Sequence, residues 1–158
     1  MIEHLIDRCR LQGWTIAVAE SCTGGLLGGS LTAIAGSSDV FAGGVIAYSN
    51  AAKTALLDVP ASVIDEHGAV SAQVAGLMAA GIRRRLASTI GIAITGVAGP
   101  GHSAGKPEGL VWFGLSCAGR QADVRVREFG PLGREIVREK SVSCACGFLG
   151  DMLDIKGG

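Results

Sequence analysis

Apolar residues recur along this chain with two periods that take turns. At the start Ile2, Leu5, Ile6 and Cys9 share one face of a helix that stops at Gly13, a residue suited to the left-handed turn after a helix. Residues 14–19, with Trp14, Ile16, Ala17 and Val18, read as a strand. From Thr23 to about Ala35 the helical spacing returns in Leu26, Leu27, Leu31 and Ile34. Gly28 and Gly29 inside that helix cost about 1 kcal/mol each relative to alanine, so it must pack closely against a neighbour. A loop at residues 36–38 precedes a strand near residues 44–49 and a short helix that Asn50 caps and that carries Lys53. Gly68 and Ser71 bracket the start of the longest helix, Ser71 to about Leu86. The β-branched run from Thr89 to Thr95, bounded by glycine, predicts a buried strand. Strands at 110–117 and 122–129 form a hairpin through residues 118–121, and an amphipathic helix from Gly133 to about Leu153 closes the pattern.

Helix and strand alternate over the first two thirds and a hairpin follows. That order predicts an α/β fold, a three-layer α/β/α sandwich on a mixed sheet, formed as a single domain over residues 1–158. A length of 158 residues, 48% of them hydrophobic, and a mean hydropathy of +0.41 suffice for a core of its own. The 25 glycines follow no triplet period, which assigns them to turns and close backbone approach. Fourteen basic residues balance fourteen acidic ones without long blocks, and Arg83, Arg84 and Arg85 complement the end of a helix. There is no electrostatic case for a nucleic-acid partner. Five cysteines (Cys9, Cys22, Cys117, Cys144, Cys146) lack paired metal spacing, and Glu3, Asp7 and Arg8 interrupt any signal-like apolar run. The expectation is a cytoplasmic protein with reduced thiols. No apolar run reaches the roughly 18 residues of a membrane span, so no membrane partner is expected.

The densest candidate chemistry is Ala19-Glu20-Ser21-Cys22-Thr23-Gly24-Gly25, where a strand ends in hydroxyl and glycine residues and a helix begins. Such a turn presents side chains and free N–H groups at the rim of a sheet. Ser21 there is either a helix cap or a nucleophile. The flanks Ala19 and Thr23 do not make the Gly-x-Ser-x-Gly elbow of ordinary α/β hydrolases. His4, His67 and His102 show no ligand spacing and read as surface or loop residues, which leaves no metal site and no histidine base. Lysine can take the role of base. Lowering its pKa from about 10.4 toward 7 takes about 4 to 5 kcal/mol of differential interaction. Lys53 is the candidate because it follows the strand end Tyr48-Ser49-Asn50, which a parallel neighbour would bring to the rim of Ser21; an exposed helix lysine is the other reading. Tyr48, the only tyrosine, either packs in the core or orients that lysine. Cys22 is a further nucleophile candidate, at a helix N-terminus but with no basic neighbour in sequence. The glycine-rich loop 96–109 is not a P-loop, since Gly105-Lys106 runs into Pro107; it is either a plain surface loop or a donor-rich cradle for a small anion.

Four segments carry a resemblance: residues 19–25; Tyr48-Ser49-Asn50 with Lys53; His67-Gly68-Ala69-Val70-Ser71; and Thr95-Gly96-Val97-Ala98-Gly99-Pro100 followed by Lys106-Pro107-Glu108-Gly109. In order and spacing they resemble the CinA C-terminal domain family, in its stand-alone form, whose members include nicotinamide-nucleotide amidases. The resemblance implies hydrolysis of the carboxamide of nicotinamide mononucleotide to nicotinate mononucleotide and ammonia, within pyridine nucleotide recycling and without a cofactor or metal. Ser21 would be the nucleophile, Lys53 its base, and Tyr48 a hydroxyl that relays or orients the proton. Backbone N–H groups near Thr23 to Gly25 would hold the oxyanion. The substrate would contact Cys22, Thr23, Gly24, Gly25, Ser38, Thr95, Gly96, Gly99, Lys106 and Arg134, with Arg138 a further candidate for phosphate. A non-catalytic module that binds a pyridine nucleotide and regulates a partner is the alternative. Self-association as a homodimer is expected from the apolar balance.

Overall fold

The computed structural model describes residues 1–156. Its elements are α1 (Ile2–Gln12), β1 (Ile16–Glu20), α2 (Leu26–Thr32), a 3-10 turn (Ser37–Asp39), β2 (Phe41–Ile46), α3 (Asn50–Leu57), α4 (Ala61–His67), α5 (Ala72–Arg85), β3 (Ile90–Gly96), β4 (Leu110–Cys117), β5 (Asp123–Glu128) and α6 (Arg134–Lys156). The five strands form one sheet in the order β2-β1-β3-β4-β5. β2, β1 and β3 run parallel, while β4 and β5 are antiparallel additions. The fold is the expected α/β three-layer sandwich with a mixed sheet.

The two faces of the sheet are written in the alternation of its central strands. Ile16, Val18, Ile90, Ile92 and Ile94 point to one side, with Val111, Phe113 and Leu115, and pack among the buried side chains of α1, α2 and α6. Ala17, Ala19 and Ala93 point to the other, where Val74, Met78, Ala79 and Ile82 of α5 cover them. Large residues on one face make a thick apolar layer, and small ones on the other let α5 lie nearly on the sheet. A Cβ at Gly91 would stand 2.1 Å from the carbonyl oxygen of Ala79, and one at Gly114 would stand 2.1 Å from that of Ala75. Gly81 of α5 is in the same position against Leu57 at the end of α3, again at 2.1 Å. Gly114→Ala therefore forces the helix off the sheet, with an expected loss of about 3 kcal/mol. Urea unfolding measures it, and an unchanged midpoint would show that α5 can shift without penalty.

Several elements differ from the pattern read along the chain. α2 begins at Leu26 rather than Thr23, because Gly24 (φ 56°) and Gly25 (φ 105°) hold left-handed backbone that no α-helix accommodates. Of its two internal glycines, Gly28 packs against Glu20, Phe41 and Val18, but nothing lies within 4 Å of the Cβ position of Gly29. Close packing thus accounts for only one of the pair. The cap of α3 is Ser49, whose hydroxyl accepts from the Ala52 N–H, and not Asn50. α6, with 23 residues, is longer than α5, with 14. β2 begins at Phe41, three residues earlier than its apolar core suggests. Among the described residues, no helix is long and apolar enough to cross a membrane.

Parallel β2, β1 and β3 end at the same rim. Ser21 follows β1, Ala47 and Tyr48 follow β2, and Thr95 and Gly96 finish β3. β4 starts beside the end of β3, with Val111 opposite Gly96, so the loop between them rises from this rim as well. Four chain segments converge there for topological reasons, as at other switch points of open sheets.

Candidate active site

Above the rim lies a cavity of about 650 Å³, lined at its floor by Ser21, Cys22 and Lys53 and around its wall by Tyr48, Asn50, Gly68 to Val70, Thr95 to Ala104, Lys106 and Arg134. Lys53 is 1% exposed and Ser21 is 8% exposed. The lysine comes from α3, one turn beyond the Ser49 cap, and reaches back over the end of β2. Its Nζ donates to the carbonyls of Ala47 (3.0 Å) and Tyr48 (3.2 Å) and lies 3.0 Å from the Ser21 hydroxyl oxygen. A neutral amine has two N–H donors and one lone pair. With the donors on the two carbonyls, the lone pair is left for the Ser21 proton. Burial holds the Lys53 ammonium below the usual lysine range, with the neighbouring Cys22 opposing that shift. A buried amine with a lowered pKa, hydrogen-bonded to a buried hydroxyl, is the arrangement of a base and its nucleophile.

The turn after Ser21 is held rigid from outside the cavity. The Glu20 carboxylate, 1% exposed, turns away from the site and accepts the N–H groups of Leu27 (2.8 Å) and Gly28 (3.0 Å) at the start of α2. It occupies the anion-favouring end of that helix itself. Arg138, from α6, donates to the carbonyls of Cys22 (3.0 Å) and Thr23 (3.2 Å). In the sequence this role of Glu20 is signalled only by its place just before Ser21 in the run 19–25. Glu20→Ala leaves one buried and one part-buried donor without an acceptor and should cost about 2 to 4 kcal/mol. Glu20→Gln, which keeps one acceptor, should cost less; equal unfolding midpoints for both variants would contradict the cap.

The cavity brings together Ser21, Lys53, Tyr48, Cys22, Thr95, Gly96, Gly99, Lys106 and Arg134. Five other candidates lie outside it, Arg138 among them, its guanidinium committed to the carbonyls of Cys22 and Thr23. Thr23, Gly24 and Gly25 sit behind Ser21, and the Gly24 N–H is already bound to the Ser21 carbonyl at 3.1 Å. Of the turn, only Cys22 faces the cavity, so oxyanion donors drawn from residues 23–25 do not fit the geometry. Ser38 is exposed in the 3-10 turn ahead of β2, at the opposite end of the sheet, and cannot reach a ligand at the rim. The Tyr48 ring is 59% exposed, and its hydroxyl accepts from Arg134 at 2.8 Å; what orients Lys53 is the Tyr48 carbonyl. Thr95 holds the wall together, donating from Oγ1 to the Ala69 carbonyl at 2.8 Å. Lys106 and Arg134 form no salt bridge among the described residues, and they outnumber Asp65, the carboxylate in the lining. Asn50 and Val70 lie in noted segments but are not singled out there as lining residues, and Ile64 and Asp65 carry no signal in the sequence; these four arrive through α3, α4 and the turn before α5. Cys22 is buried and its thiol is pushed up to about 11 by desolvation, which removes it as a thiolate nucleophile at neutral pH.

The model of the CinA C-terminal domain matches residues 1–153. The chain belongs to that family. CinA-like proteins from Synechococcus sp. (strain CC9902) and Acaryochloris marina are similar to it, at 57% identity over 133 residues and 54% over 148. Those alignments cover 82% and 91% of this chain but 31% and 35% of the relatives, so the chain spans about a third of the length of the curated proteins it matches. Among solved structures, a CinA superfamily protein from Klebsiella pneumoniae superposes with a TM-score of 0.90 at 34% identity, covering 98% of both chains. A competence/damage inducible protein from Agrobacterium tumefaciens does so with a TM-score of 0.88 at 39% identity, covering 97% of this chain and 95% of that one. Each of the four segments noted in the sequence contributes part of the cavity lining: Ser21 and Cys22; Tyr48, Asn50 and Lys53; Gly68 to Val70; and Thr95 to Pro100 with Lys106.

Proposed function

We propose that this CinA domain is an amidase that hydrolyses the carboxamide of nicotinamide mononucleotide to nicotinate mononucleotide and ammonia. The observation that carries the reading is the buried Lys53 amine, 3.0 Å from the Ser21 hydroxyl and satisfied on its other side by two carbonyls. In this reading neutral Lys53 takes the Ser21 proton as Oγ attacks the carboxamide carbon. The tetrahedral intermediate then collapses, Lys53 returns the proton to the leaving nitrogen, and ammonia departs from a serine ester. Water, deprotonated by the same amine, cleaves the ester and regenerates Ser21. Cys22, the residue after Ser21 and part of the cavity lining, offers its N–H to the developing oxyanion in this reading, a donor of that kind being worth roughly 3 to 4 kcal/mol. Lys106 and Arg134 supply positive charge for the phosphate, and the apolar wall of Ala69, Val70, Val97 and Ala98 accepts the ring. The test is incubation of the purified protein with nicotinamide mononucleotide while ammonia and nicotinate mononucleotide are measured over time. Equal amounts of both products support the amidase. Binding of the nucleotide without product would favour a regulatory binding module on the same cavity.

A further inference from the structure

One carboxylate near the cavity serves neither the proposed chemistry nor an ion pair among the described residues. Glu108, half-buried at the end of the glycine-rich loop, accepts the Gly101 N–H at 2.7 Å with one oxygen and the Gly133 N–H at 3.4 Å with the other. It thereby ties the crest of the loop to the residue immediately before α6. Gly99 packs onto the same carboxylate, since a Cβ there would stand 2.1 Å from its Oε1, and the φ of 92° keeps this position for glycine. Arg134, the first residue of α6, takes its place between these pinned segments. Its guanidinium donates to the Gly99 carbonyl at 2.7 Å and to the Tyr48 hydroxyl at 2.8 Å, spanning the mouth from the loop to the end of β2. Glu108 touches the backbone on both sides of this bridge and is absent from the cavity lining.

From this arrangement we infer that Glu108 is a positioning residue for anion recognition: it fixes the loop and the head of α6 so that Arg134 meets the phosphate of the substrate in a set place. The inference rests on the amidase reading for the identity of the substrate. It predicts a selective effect. Without the pin, Arg134 still exists but must be ordered by the ligand, which weakens binding of a phosphate-bearing substrate and leaves the Ser21 and Lys53 chemistry intact.

The experiment compares nicotinamide mononucleotide with nicotinamide riboside, which lacks the phosphate, in the wild type, Glu108→Gln and Glu108→Ala. Glu108→Ala should raise KM for the mononucleotide about tenfold, the scale of one charge-assisted hydrogen-bond set, while its kcat and the KM for the riboside stay within about twofold. Glu108→Gln, which retains one acceptor, should fall between and remains the test if the alanine variant does not fold. A merely structural role would raise both KM values together or lower kcat, and either result overturns the inference, as does an unchanged KM for the mononucleotide. If the wild type releases no ammonia, the amidase reading has failed; the same comparison is then made by calorimetric binding of the two compounds. A Kd ratio that does not shift in Glu108→Ala, or no binding of either compound, overturns the positioning role.

Discussion

Ser21→Ala should abolish ammonia release from nicotinamide mononucleotide, by at least about a thousandfold in kcat, and leave the fold in place. The substitution removes one hydroxyl from a buried floor. Lys53 keeps its bonds to the Ala47 and Tyr48 carbonyls, so no buried donor is stranded and the unfolding free energy should change by about 1 kcal/mol or less. The cavity wall, Lys106 and Arg134 are untouched, so the variant should still bind the mononucleotide. Cys22→Ser is the control. Its thiol, raised to about 11, is protonated at neutral pH, and the variant should retain most of the activity. Full turnover by Ser21→Ala together with inactivity of Cys22→Ser would transfer the nucleophile to residue 22 and end the present reading.

The second large effect concerns Lys53 and carries a pH signature. A base must be neutral to act, so kcat/KM should rise with pH through the pKa of Lys53, and burial places that pKa below the usual lysine range. Lys53→Met should lose at least about a thousandfold in kcat/KM and lose this ascending limb as well. Lys53→Arg should be as inactive, since guanidinium does not give up its proton in a protein. Stability carries the same group with a definite sign. Between the lowered folded pKa and the ordinary lysine pKa of 10.5, the unfolded chain holds a proton that the folded one lacks, so stability rises with pH across that window. Below the folded pKa the slope vanishes and the desolvation cost is present in full. Denaturant unfolding at a series of pH values should show the slope in the wild type and its absence in Lys53→Met. A pH-independent kcat/KM in the wild type would mean that Lys53 is not the titrating base.

Much of the architecture follows from short-range pattern. The alternation Ile90-Gly91-Ile92-Ala93-Ile94 already contains both faces of the central strand, the thick one toward α6 and the thin one toward α5. Strand β4 matched its expected ends because glycine-bounded, β-branched and aromatic runs leave the backbone few alternatives. The start of α2 differs from the pattern because apolar spacing does not report backbone sign, and Gly24 and Gly25 adopt left-handed conformations in the fold. α4 escaped notice because seven residues are too few to display a helical period.

For the site, residue type and order were enough to nominate Ser21, Lys53 and the loop after β3, since a hydroxyl and glycines at a strand end and a lysine after the next strand are local facts. They could not decide whether Lys53 is a solvated surface cation or a buried amine; that depended on the parallel pairing of β1 with β2, which laid α3 over the strand ends and removed Nζ from water. The fates of Ser38, of Tyr48 and of Glu20 were decided in the same way. Each is polar and close in sequence to a strand end, and only the packing of the sheet put one at the wrong end, turned one toward Arg134 and set one beneath α2. Sequence by itself determined which elements form and which chemical groups sit at their ends, because those are matters of neighbouring residues. The tertiary structure alone decided which groups share a dry floor, because desolvation and hydrogen-bond partnership are properties of contacts between segments distant along the chain.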